Sequence, residues 1–226
     1  NTWGLQTAGW TNAGTAQYRN VASTDSSVSF AYKVMSTKGA SGNVVNRQLT
    51  LGGDAGNTKI IAFKEVPVTL SISVSPLTWG VGTVDTGTTQ MSTSGNKIGV
   101  TNDGNVAETF TLQIFNQDDR VEWTAASLKT GAGNNIYVLS GIFCAIADSP
   151  IETSFNETDS EDVLTTTQQT ATATKFAYAG GSANAVAVSV SGQRSLWLRL
   201  DMPTAVSGTY AYEQHTVTVR ISCQQS

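Results

Sequence analysis

Any imidazole chemistry in this chain must come from His215, its one histidine. His215 closes the stretch Tyr210-Ala-Tyr-Glu-Gln-His215 and opens an alternating apolar segment. A serine-hydrolase triad would have to use it, because the base must face a hydroxyl and be oriented by a carboxylate. No Gly-x-Ser-x-Gly elbow is present to carry the nucleophile, so a strand-edge histidine is the plainer expectation. Glycoside hydrolysis needs two carboxylates flanking one bond, and Glu108, Glu122 and Glu213 show no spacing that pairs them. Zinc needs about four Cys, His or carboxylate ligands at workable spacing; one His and two Cys fall short. Two acidic clusters offer hard oxygens of the kind calcium takes: Asp118-Asp119 with Glu122, and Asn156-Glu-Thr-Asp-Ser-Glu-Asp162. The second lacks the Gly and the spacing of an EF-hand, a solvated acidic loop is the commoner case, and the metal question stays open. Gly52-Gly-Asp-Ala-Gly56 lacks the Lys and the following helix of a phosphate loop. No cofactor and no enzymatic activity are expected.

Two further groups could act through surface chemistry. Trp197 and Arg199 lie on the parity opposite Leu196, Leu198 and Leu200, and are expected to point outward beside Tyr210 and Tyr212. Exposed aromatics on a sheet face stack on sugar rings or on a partner protein; the alternative is that the chain's own N-terminal segment covers them. Cys144 ends Ile136-Tyr-Val-Leu-Ser-Gly-Ile-Phe-Cys144, sharing parity with residues 136, 138 and 142. Cys223 ends Thr216-Val-Thr-Val-Arg-Ile-Ser-Cys223, sharing parity with residues 217, 219 and 221. Both cysteines are therefore expected on apolar strand faces, and a bridge between them would close a loop of roughly 80 residues, worth about 4–5 kcal/mol on the chain-entropy account. The alternative is two separate buried thiols acting as small hydrophobes.

The elements that must position these groups read as strands. Residues 66–74 alternate cleanly, with Val68, Leu70, Ile72 and Val74 on one face and Thr69, Ser71 and Ser73 on the other, the pattern of a half-buried antiparallel strand. Pro67 stands at its start, where a missing N–H is tolerated. Residues 98–101 and 107–115 are expected to form a hairpin about Asn102-Asp-Gly-Asn105, with Phe110, Leu112 and Ile114 inward. Further strands are expected at 28–34, 44–51, 58–63, 136–143, 185–190, 195–202 and 215–223, with at most one helical turn at 125–129. Residues 148–174 form the longest polar segment and are long for a connection in a compact domain. Short strands at regular spacing with almost no helical period predict an all-β protein. The expected architecture is an antiparallel β-sandwich of immunoglobulin-like or jelly-roll type with an extended N-terminal segment. Composition shifts near residue 66, giving an N-terminal β segment at 1–65 and a sandwich at 66–226.

Composition narrows the role. The 226 residues carry 13 Lys+Arg against 17 Asp+Glu, which argues against a nucleic-acid partner. No apolar run reaches the ~18–20 residues of a membrane-spanning helix. The chain opens on Asn1, the expected start of a mature chain whose targeting segment has been removed. An even cysteine count in a Ser/Thr-rich, charge-poor chain suits an oxidising compartment. Asn156-Glu-Thr158 is the one glycosylation sequon, too short a pattern to carry weight.

Ser73-Val-Ser-Pro-Leu-Thr-Trp-Gly-Val-Gly-Thr-Val-Asp-Thr-Gly-Thr-Thr89 is followed by Ile98-Gly-Val-Thr-Asn-Asp-Gly-Asn-Val106 and Phe110-Thr-Leu112. With Leu196-Trp-Leu-Arg-Leu-Asp-Met-Pro203 and Thr216-Val-Thr-Val219, this series resembles secreted bacterial immunoglobulin-like surface domains across roughly residues 66–223. The resemblance implies a fold and an extracellular or cell-surface location, and no activity. The expected role is a structural one: a subunit of an extracellular filament, sheath or surface layer, built from copies of itself by β-strand complementation. Residues 1–12 are the candidate exchange arm, with Trp3, Leu5 and Trp10 as its anchors, since exposed tryptophans forgo roughly 1.5–3 kcal/mol each. The alternative is a module binding carbohydrate or another surface ligand through Trp197, Tyr210 and Tyr212.

Overall fold

A computed structural model describes residues 3–5, 11–18, 26–32 and 46–48 as strands, and residues 66–156, 161–179, 183–209 and 213–226 in full. The chain divides into two compact units, Asn1–Lys64 and Glu65–Ser226. In the first, β1 (Trp3–Leu5) pairs antiparallel with β4 (Asn46–Gln48), and β2 (Thr11–Tyr18) pairs antiparallel with β3 (Ser26–Tyr32). The strand expected at 58–63 lies outside the described residues.

The second unit is a β-sandwich. One sheet has the order β5 (Ile72–Ser75), β7 (Ile98–Asn102), β12 (Gln193–Asp201), β10 (Ile136–Cys144) and β9 (Thr124–Ala125), with β6 (Thr89–Met91) also on β12. The other has the order β11 (Gln169–Thr170), β8 (Glu108–Asn116) and β13 (Thr218–Gln225). All pairings are antiparallel except β9 with β10. The period-two alternation explains the core between them. Phe110, Leu112 and Ile114 of β8 are buried against Tyr137, Leu139 and Phe143 of β10 and Leu196 and Leu198 of β12.

Four expectations need correction. Residues 98–102 and 108–116 are not a hairpin: β7 and β8 belong to different sheets, and the Asn102-Asp-Gly-Asn105 turn carries the chain across the sandwich. Asn102 makes the crossing possible, its side-chain amide donating to Val106 O and Val188 O and its Oδ1 accepting from Gly104 N. A strand at 185–190 is reduced to a single bridge, Glu108 with Val188. The alternating segment 66–74 is only half used: Ile72 and Val74 pack on the core, while Val66, Val68 and Leu70 stand 70%, 52% and 41% exposed. Lastly, the outer face of the larger sheet is not a solvated face. It carries a second apolar cluster of Ile142, Cys144, Phe155 and Trp197, with Met91 and Tyr178 packed against it. Among the described residues no helix is long and apolar enough to cross a membrane.

Candidate functional site

His215 and Asp118 are 97 positions apart in the chain, and the fold joins them. His215 Nδ1 lies 2.8 Å from Asp118 Oδ1, with both side chains almost fully buried. The indole of Trp123 stacks flat on the imidazole, centroids 4.0 Å apart. Asp118 also accepts from the backbone N–H groups of Arg120 on Oδ1 and of Glu122 and Trp123 on Oδ2. The local sequence explains this turn: an aspartate that accepts N–H bonds from the residues following it folds the chain about its own carboxylate. Burial alone disfavours the Asp118 anion, but the bonds from Trp123, His215, Arg120 and Glu122 outweigh it and hold the carboxyl below its ordinary value. Asp119 adds a second tie, exchanging backbone and side-chain bonds with Thr216, and Tyr137 Oη donates to Gln117 O. Beside this cluster lies a shallow cleft of about 240 Å³ lined by Phe115, Gln117, Val121, Trp123, Thr124 and Thr166.

Ligand atoms of Asp118, Asp119 and His215 fall within 4.8 Å of one another, so the donor set is worth testing for a cation. Asp118 spends both oxygens on four hydrogen bonds, and Asp119 gives one oxygen to Thr216 N. Calcium wants six to eight free oxygens; this arrangement instead satisfies a loop. The His–Asp pair matches the orienting half of a triad, but the chain offers no nucleophile elbow to complete it. The cluster clasps the 117–124 loop to the entry of β13. Glu122 extends the clasp, accepting from Thr209 N. It lies so close to Gly208, at φ 120°, that a Cβ there would meet its carboxylate at 2.7 Å.

The expected disulfide is absent, and both Cys144 and Cys223 are free thiols. The physical reason is layering. Cys144 sits on the outer face of the larger sheet beside Trp197, while Cys223, paired in register with Phe110, faces the sandwich interior from the other sheet. Shared parity with apolar neighbours was right for each strand; the two apolar faces are different ones. Burial pushes the Cys144 thiol up to about 12 and the Cys223 thiol up to about 11, the latter aided by the Glu108 carboxylate against it.

Trp197 points away from the sandwich core, as its parity requires, yet it is 2% exposed. Phe155, in the segment that follows β10, covers it. Arg199, next on that face, binds Asp201 at 2.9 Å and Glu152 of the covering segment at 3.3 Å. Tyr210, Tyr212 and Trp10 lie outside the described residues. Trp3 and Leu5 belong to β1, which pairs in register with residues 46–48 of the same chain.

What sequence reasoning missed is an edge. Among the described residues β5 pairs only with β7, and β13 only with β8. The two meet through Glu108, fully buried, whose Oε1 accepts from Ser71 N while its carboxylate abuts Cys223. Among the described residues, one flank of the sandwich thus carries two strand edges without a partner strand. The signal was in the alternation of 66–74, which writes an apolar face longer than the isolated fold covers.

No family model, no curated protein and no solved structure matches this chain.

Proposed function

We propose that this chain is an extracellular structural protein, an immunoglobulin-like β-sandwich subunit that assembles with copies of itself by β-strand complementation. The observation that carries the reading is the exposed row Val66, Val68 and Leu70, continuous in parity with the packed Ile72 and Val74. A strand whose apolar face is only half covered in one molecule gains by covering the rest in another, at roughly 1.5–3 kcal/mol per large apolar side chain fully buried. The absence of a nucleophile elbow fits a structural role, and the surviving candidates for chemistry, His215 and Asp118, hold a loop. The N-terminal segment remains part of the reading: β1 has an intrachain partner, which exchange between copies would replace by an identical one. The sugar-binding alternative loses its central platform, since Trp197 is buried.

Electron microscopy of the purified full chain at near-neutral pH tests the proposal. Regular filaments, tubes or sheets are the expected result, and dispersed single particles at all concentrations would sink it. Removal of residues 1–12 then separates an assembly that needs the arm from one that does not.

A further inference from the structure

The orientation of the backbone groups on the open flank can be read from the hydrogen bonds around it. Glu108, Phe110 and Ile114 donate away from β13, to Val188 O, Ala185 O and Thr165 O, and Ser226 N donates to Ala107 O. The even positions of β13 therefore bond β8, and the N–H and C=O of Val219, Ile221, Cys223 and Gln225 point out of the flank. The same reasoning applies to 67–75. Thr69 and Ser71 give their carbonyls to Asn105 N and Asp103 N, and their N–H groups to Asn105 Oδ1 and Glu108 Oε1. Pro67 O accepts from Asn105 Nδ2. The outward set is then Val68, Leu70, Ile72 and Val74. Pro67, the one residue without an N–H, stands at an inward-facing position and leaves the outward edge complete.

Natural edge strands are protected by lysines, prolines, bulges or a covering segment. Residues 218–225 hold no Lys and no Pro. Their one charge, Arg220, lies over the Phe115 ring at 3.6 Å, on the parity opposite the core-facing row. The one irregularity falls at Thr218/Val219, at the start of the strand. Residues 66–74 hold no charge at all. The two edges belong to facing sheets, which pack about 10 Å apart, too far to hydrogen-bond to each other within one molecule.

Resting on the assembly reading above, we propose that the joint is this flank: the edge at residues 68–74 of one copy adds to the outward edge of β13, which has no partner among the described residues, in a second copy. The pairing joins outward backbone groups on both sides. It also brings Val68, Leu70, Ile72 and Val74 over the half-buried Val219, Ile221 and Cys223, so the apolar row written in 66–74 is covered along its length. The occupant is a second copy because donor and acceptor edges are both present on one chain, both nearly uncharged, and unable to meet intramolecularly.

The test uses two variants of the full chain at exposed positions. Gln225→Pro removes an outward N–H without touching the β8 ladder, and Val68→Lys places a charge on the donor row. Each is first checked for an unchanged thermal melt. Light scattering and electron microscopy then follow assembly against concentration. The expected result is that each variant raises the concentration needed for assembly by about tenfold or more. The two mixed together recover part of it, because each retains one intact edge. Wild-type assemblies that form equally well from both variants would overturn the flank as the joint while leaving self-assembly standing. A wild-type chain that stays monomeric throughout would overturn both.

Discussion

Along one flank of the sandwich every long strand edge is paired. β10 receives Thr124 and Ala126 from one side of the clasp loop, then Asp162 and Leu164, then Phe176 and Tyr178. β8 receives Thr165, then residues 169–171, then Ala185 and Val188. The segment from Asp162 to Ala171 thus steps from the edge of one sheet to the edge of the other and seals that side. Along the opposite flank the outward backbone of β5 and β13 meets no described partner. Among the described residues, the loops between β10 and β12 close one side and none of them reaches the other. Surface edges are a liability that folded proteins manage, so a difference this lopsided points to use of the open side.

The largest effect is expected at the clasp, whose loop runs from the entry of β13 to the β10 edge of the closed flank. Asp118→Ala strands the donors of three backbone N–H groups and a buried imidazole, and is expected to cost about 3–5 kcal/mol, read from urea unfolding. Asp118→Asn, which keeps one acceptor oxygen, should lose visibly less. A loss within about 1 kcal/mol for the alanine variant would mean that backbone pairing alone holds this loop.

A second variant acts on the open flank. At Gly104 a Cβ would lie 2.3 Å from Glu108 Oε1 and 2.5 Å from Thr69 O. The absence of a side chain there lets residues 67–71 dock on the 102–108 turn. Gly104→Ala should cost about 1–3 kcal/mol and loosen 67–71 selectively, seen as faster amide exchange at Thr69 and Ser71 than on the closed flank. Uniform exchange across the molecule would count against an independent open edge.

Much of this architecture was legible from alternation. β7, β8, β10 and β12 lie within a few residues of their expected positions, and Phe110, Leu112 and Ile114 do point inward. Turn chemistry was readable, but its destination was not: Asn102-Asp-Gly-Asn105 satisfies a hairpin and a crossing equally well, and only the partners of β7 and β8 decide. Burial on the outer face of β10 and β12 was obscured because the outward parity of β12 reads Gln193, Ser195, Trp197, Arg199 and Asp201, a mostly polar row, and a polar-looking segment, 148–174, supplies the cover. The clasp was invisible for a different reason. His215 and Asp118 were each singled out, but nothing local links residues 97 positions apart.

Two aspartates, Asp162 on the closed flank and Asp118 in the clasp, sharpen the comparison through pH. Burial pushes Asp162 up to about 6, against the opposing bond from Asn156 N, whereas Asp118 is held low. Asp162 holds its proton in the folded state when the unfolded chain has already released it. Its contribution to stability therefore falls as pH rises from about 4 to 6. Asp118 acts in the opposite sense: its stabilisation is present above the ordinary carboxylate range and lost as pH falls through its lowered value. Asp162→Asn should accordingly raise stability at pH 8, on the order of 1 kcal/mol, and give nothing at pH 4. A benefit independent of pH would assign the effect to packing and not to the carboxylate.

The smallest expected effect is a null one with a spatial signature. With both cysteines free, reducing agent should leave the melting temperature unchanged, and a shift of several degrees would restore the disulfide. Both thiols are pushed up by burial and so hold little thiolate at neutral pH; access then sets the order of their reaction. Cys223 is half-buried on the open flank, and Cys144 is sealed beneath Phe155 and Trp197. A small neutral maleimide should label Cys223 slowly in the native monomer and Cys144 only on unfolding. If assembly covers the β13 edge, labelling of Cys223 should slow further as assembly proceeds, while Cys144 stays as it was. Equal rates at the two sites would erase the distinction between the sealed side and the open one.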